Sequence, residues 1–147
     1  MHHIAIMKPA WKLIPKILSG QKTIESRWYK NKSAPWDNIS VGDTVWFKDS
    51  GKPVTARATV SNVIQLDDVS GTKLRALAKK YGDCPGICFV SDKEKIFAWV
   101  STKRYTILIF LKDAKPVKPF CISKQGFGNA CAWMVVNNIN DVKIKTN

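Results

Sequence analysis

Apolar and polar positions follow two periods along this chain, and they change over at short intervals. Residues 3–7 form a brief apolar run that predicts a strand. Across residues 10–19, Trp11, Ile14, Ile17 and Leu18 recur at helical spacing. Pro15 predicts that the regular helix is short and begins late, because proline is comfortable only in a first turn, and Gly20 is placed to end it. From residue 23 to residue 28 the period becomes two. Thr23, Glu25 and Arg27 share one side, and Ile24, Ser26 and Trp28 the other, which fits a strand. Residues 28–36 read as a loop rich in Lys, Asn and Ser, and Val41-Gly42-Asp43 is a turn feeding a strand at 44–48.

Ser50-Gly51-Lys52-Pro53 predicts a hairpin onto a long strand at 54–65. Residues 72–81 carry Leu74, Leu77, Ala78 and Tyr81 on one helical face, with Gly82 as the stop. Residues 94–100 fit a short helix or a strand. Residues 105–111 are β, being rich in Ile, Tyr and Phe. Lys115-Pro116-Val117-Lys118-Pro119 is expected to interrupt that run, 125–129 to be a glycine-rich turn, and 132–136 a last strand. The order predicts an α+β fold, a small closed or half-closed β-barrel decorated by two or three short helices. No repeat or linker divides the chain, so residues 1–147 are expected to form a single domain.

Charge changes this picture from a generic barrel to one that meets a polyanion. Against 11 Asp and Glu there are 24 Lys and Arg, a formal net charge of +13. The lysines are spread from Lys8 to Lys145, so a folded surface displays them. A field of this sign attracts RNA, DNA, an anionic membrane or an acidic protein surface, and the alternative is solubility alone. The sequence shows no membrane span and no signal-peptide core in its first residues, so a cytoplasmic location and no membrane partner are expected. Cys84, Cys88, Cys121 and Cys131 are then expected as reduced thiols, small core residues whose spacing matches no common zinc pattern. No metal and no cofactor are expected.

The densest chemistry lies in Gly20-Gln21-Lys22-Thr23-Ile24-Glu25-Ser26-Arg27, where three charges sit at a helix-to-strand junction. Glu25 and Arg27 share a strand face and can pair, and Lys22 stands at the turn with an arm long enough to reach either. The bland reading is a partly exposed ion-pair cluster worth little to stability. The functional reading is a polar cleft floor, where Lys22 and Arg27 hold an anionic group and Glu25 accepts hydrogen bonds from a base or amide.

A helix followed by G-x-K-x-x-E-x-R resembles the signature of ASCH domains, small β-barrels related to the PUA fold of RNA-modifying proteins. Gly20, Lys22, Glu25 and Arg27 fill all four positions, and Ile17-Leu18-Ser19 and Val41-Gly42-Asp43 also look like the family. With the matching order of elements, the resemblance covers about the first two thirds of the chain. It implies a PUA-like barrel with the motif on the floor of a cleft that binds RNA or a modified nucleoside. It also implies an alternative, a small hydrolase, either a nucleoside amidohydrolase or a ribonuclease, using Lys22 and Glu25. In the branch that deacetylates acetylcytidine, a threonine stands where this chain has Glu25, and a later glutamate falls where it has Gly82 and Asp83. Only Lys22 carries over to that branch.

Trp11 and Trp36 are the ring candidates for a cleft wall, since nucleobases stack on such side chains. Trp28, on the strand face opposite Glu25 and Arg27, is expected in the core, as are Trp99 and Trp133. Gly126-Phe127-Gly128-Asn129, beside Lys124, is a turn or a flap. His2 and His3 lie too near the terminus to be candidate catalysts. The expected partner is RNA or a nucleoside-like ligand, with an acidic protein as the other reading of the charge. The sequence leaves the oligomeric state open.

Overall fold

A computed structural model describes residues 1–67, 76, 102–128 and 130–145 of the protein. The elements are β1 (His2–Met7), a 3-10 helix (Pro9–Trp11), α1 (Leu13–Leu18), β2 (Ile24–Tyr29), β3 (Thr44–Asp49), β4 (Val54–Leu66), β5 (Tyr105–Phe120), β6 (Trp133–Val136) and a 3-10 helix (Ile139–Asp141). The helix expected at 72–81 and the segment at 94–100 lie outside the described residues. So do Cys84, Cys88 and Trp99.

β2 forms where a period of two separates its two faces, whereas β1, β3 and β6 lie inside the sheet or under the C-terminal segment and bury residues on both faces. The strands build one six-stranded sheet in the order β2-β5-β4-β3-β1-β6. Only β1 and β3 run parallel; every other neighbouring pair is antiparallel. The sheet is curled into a half-barrel rather than closed strand to strand. Its concave face carries Ala5, Met7, Val45, Phe47, Ala56, Ala58, Val60, Ile107, Ile109 and Leu111, and α1 buries Leu13, Ile14 and Ile17 against this cluster. Pro15 is the third residue of α1, within the first turn, where its missing N–H costs nothing. On the convex face Trp46, Val54, Met134 and Val136 pack under the C-terminal segment at Ile139, and Ile24 packs with Leu108.

One expectation fails in an instructive place. Lys115-Pro116-Val117-Lys118-Pro119 does not interrupt the strand, because β5 runs on to Phe120 and stays paired with β4. β2 pairs with residues 105–110 and Leu111 N–H still reaches Thr23 O at 2.8 Å, but beyond it β5 has no partner on that side among the described residues. A proline on that free side withholds no ladder donor. The extra length is absorbed by register shifts against β4, with Asp113 at φ 53 beside one of them. The cysteines differ as well, for Cys121 is exposed and Cys131 half-buried, so neither is a core residue. Among the described residues no helix is long and apolar enough to cross a membrane.

Candidate functional site

The turn after α1 aims the motif inward. Gly20 adopts φ 81, its N–H bonds Ile17 O at 3.2 Å, and Lys22 N–H then reaches back to Lys16 O at 2.9 Å. A residue with a Cβ is strained at that φ, which is why glycine stands there. The reversal buries Lys22, which is 3% exposed, and starts β2. Along β2 the period of two then turns Glu25, Arg27 and Tyr29 to the concave side, with Ile24 and Trp28 buried on the convex side.

Lys22 and Glu25 are buried and Arg27 is half-buried, so the cluster is more enclosed than the bland reading supposes. Glu25 is 5% exposed and lies between two cations. Its Oε1 stands 3.4 Å from Arg27 Nε, and its Oε2 3.8 Å from Lys22 Nζ. Neither approach is a hydrogen bond, for Glu25 Oε2 and Arg27 Nε are buried atoms without a hydrogen-bond partner among the described residues. Lys22 Nζ donates to Ile24 O at 2.6 Å. Buried carboxylates normally find donors, and one that does not costs about 1–3 kcal/mol. The fold holds Oε2 beside Lys22 while Oε1 faces Arg27.

Arg27 does a second task. β2 and β6 are the opposite edges of the sheet, yet the guanidinium of Arg27 donates to Ala132 O at 3.3 Å, just before β6. It also donates to Met7 Sδ at 3.4 Å and lies 5.0 Å from the centre of the Trp133 ring. The curl of the sheet brings its two edges to one seam, and Arg27 spans it. A guanidinium suits this position because its planar fork serves a carbonyl and an aromatic face at once.

Residues that the sequence reading set aside support that clasp. Trp133 is buried as expected, but its indole N–H donates to His3 Nδ1 at 3.1 Å. His3 is fully buried, and with Nδ1 accepting, its Nε2 carries the proton and donates to Asp43 Oδ2 at 2.8 Å. Burial holds the imidazole below its ordinary range in spite of Asp43. Burial alone would raise the Asp43 carboxyl, but the hydrogen bonds from His3 and Ser40 outweigh it and leave it below its ordinary value. Asp43, His3, Trp133 and Arg27 thus form one line of contacts from the turn before β3 to the motif. Tyr29 was also missed, although the period of two extends to it. Its hydroxyl donates to Ala34 O at 2.9 Å, and burial raises its ionisation beyond the ordinary value, with Arg27 and Glu25 nearby.

The two candidate rings part company. Trp36 packs edge-on against Tyr105, 5.0 Å between centres, at the end of the ladder where Tyr105 pairs with Tyr29. Trp11 is 44% exposed, with Lys8 Nζ 4.7 Å from its ring, so the described contacts do not bring it to the motif. Residues 125–127 form a turn, and Lys124 Nζ donates to Cys131 O at 3.0 Å. Among the described residues no cluster of His, Cys, Asp and Glu could hold a metal ion.

No family model matches the chain, and no curated protein does. Solved structures do. The crystal structure of ASCH from Zymomonas mobilis superposes with a TM-score of 0.63 at 17% identity, over 92% of this chain and 87% of that one. A point variant of the same protein gives 0.68 at 16% identity, over 95% and 91%. With the half-barrel, the helix-to-strand turn, its buried Lys22 and Glu25 and its half-buried Arg27 in place, the chain has the fold of the ASCH domain.

Proposed function

We propose that this protein is a PUA-like module that binds RNA or a modified nucleoside at the seam of the half-barrel, on the segment Gly20 to Arg27. The observation that carries this reading is Glu25 Oε2, a buried carboxylate oxygen with no hydrogen-bond donor among the described residues, 3.8 Å from Lys22 Nζ on a carboxylate whose other oxygen faces Arg27. A base edge or amide N–H supplies the donor that such an oxygen accepts. The neighbouring cations suit the same ligand's electron-rich oxygens, and the excess of basic residues favours a nucleic-acid source.

The hydrolase alternative asks Lys22 to surrender a proton. Its ammonium instead donates to Ile24 O and faces Glu25, the setting of a fixed donor. That favours binding over catalysis. The test is calorimetric titration with free nucleosides, including acetylcytidine, into wild type, Glu25→Gln, Lys22→Arg and Lys22→Ala. Binding lost in Glu25→Gln and partly kept in Lys22→Arg supports the reading. Acetate release by wild type that both Lys22 variants abolish makes the protein an enzyme. Nucleoside affinity unchanged in Glu25→Gln removes the seam as the site.

A further inference from the structure

On the convex face of β4 and β5, away from the seam, like charges face each other across the ladder. Arg57 pairs directly with Lys115, and the next rung along β4 pairs Thr59 with Lys112. Lys112 and Lys115 are three apart, so a regular strand would send them to opposite faces. The register shift between Arg57 and Thr59 brings both to the face of Arg57, because Asp113 and Ala114 together oppose Ala58. Beside this row the Arg57 guanidinium lies 5.7 Å from the Trp46 ring, Trp46 meets Phe120 at 5.7 Å, and Lys143 Nζ stands 4.7 Å over Phe120.

Arg57, Lys112, Lys115 and Lys143 are all exposed, and among the described residues none of the four forms an ion pair. Asp113 is the one acid in β4 and β5, and it is the extra residue of the register shift. Cations directly opposed in a ladder repel, so this row is a feature the fold keeps at a cost. A solvated basic face scatters its charge among acids; this one aligns it.

We propose that this row is a binding site for the phosphodiester backbone of single-stranded RNA, separate from the seam. Successive rungs on one face are about 6.8 Å apart, a spacing comparable with that of neighbouring phosphates on an extended strand. Lys112 and Lys115 lie along β5 with Arg57 beside Lys115, a narrow track that one backbone can follow, and half-buried Phe120 beneath Lys143 offers an apolar edge to a base or sugar. This inference goes beyond the seam reading and stands without it.

The experiment measures fluorescence anisotropy of labelled oligouridylate against salt, for wild type and the double variant Lys112→Ser, Lys115→Ser. Both side chains are exposed, so the variant should melt like wild type, which a thermal scan confirms. The expected result is weaker binding at low salt and a slope of log affinity against log salt reduced by about 1.4, two phosphate contacts at about 0.7 each. An unchanged slope overturns the proposal. So does loss of affinity for an oligouridylate–oligoadenylate duplex or for polyglutamate with none for the single strand. Free-nucleoside binding separates the two readings: if it is absent from wild type while the slope still falls, the seam reading fails and the row stands. If Glu25→Gln abolishes nucleoside binding and the lysine variant leaves the slope unchanged, the reverse holds.

Discussion

The same kinds of charge occupy two regions of this sheet and are handled in opposite ways. At the seam, Lys22 and Glu25 are buried and Arg27 half-buried, and the three lie close together and are of mixed sign. On the convex face, Arg57, Lys112 and Lys115 are exposed and of one sign. A buried charge is desolvated, so removing its partner strands it at a large cost, whereas an exposed charge is screened and its loss is felt little by the fold. The seam therefore couples recognition to folding, and the outer row leaves the two separable.

Arg27→Ala should break this contrast most strongly. It leaves buried Glu25 with Lys22 as its one described cation and removes the contacts to Ala132, Met7 and Trp133 that hold the sheet's edges together. A loss of about 3–5 kcal/mol is expected in denaturant unfolding. Arg27→Lys keeps the charge but not the planar fork, and should recover only part of it. A cost no larger than that of an exposed charge would show that the clasp does not hold the curl.

Acid should act on the seam and not on the outer row. His3 is held below its ordinary value of 6.5, so the unfolded chain takes up a proton before the native one does. Stability is then complete above about pH 7 and falls as pH drops below 6.5. His2, also held down chiefly by burial, adds to the fall. Asp43, lowered from 3.8, adds a second loss only below that value. Melting temperature followed across this range should show the first decline, and His3→Asn should flatten it to the part left by His2. A decline of undiminished size would take His3 out of the account.

Gly20→Ala sharpens the comparison at smaller scale. Among the described residues no atom beyond its chain neighbours lies within 4 Å of an added Cβ, so the cost is that of φ 81, about 1 kcal/mol. The smallest effect belongs to Lys115→Ser, within about 0.5 kcal/mol of wild type, with any shift toward greater stability because a repulsion across the ladder is relieved. Thermal melts at matched pH check both.

Much of the fold was legible because it is local. The period of two in residues 23–28 gave β2 and the face shared by Glu25 and Arg27, and the Gly20 stop gave the turn. The proline-bearing half of β5 was not legible. Proline is excluded from a strand only when its missing donor faces a neighbour, and whether β2 reaches that far is a property of the assembled sheet.

Residue types, their alternation and the basic excess were determined by the sequence itself, since each is set by neighbours within a few positions. That Arg27 meets a carbonyl 105 residues away was decided by the tertiary structure alone. So was the line from Asp43 through His3 and Trp133, which turns two residues set aside as terminal or core into supports of the site. The curl of a sheet sums the twist of every strand and register shift in it, and only that sum brings its edges together and takes the motif's charges out of water.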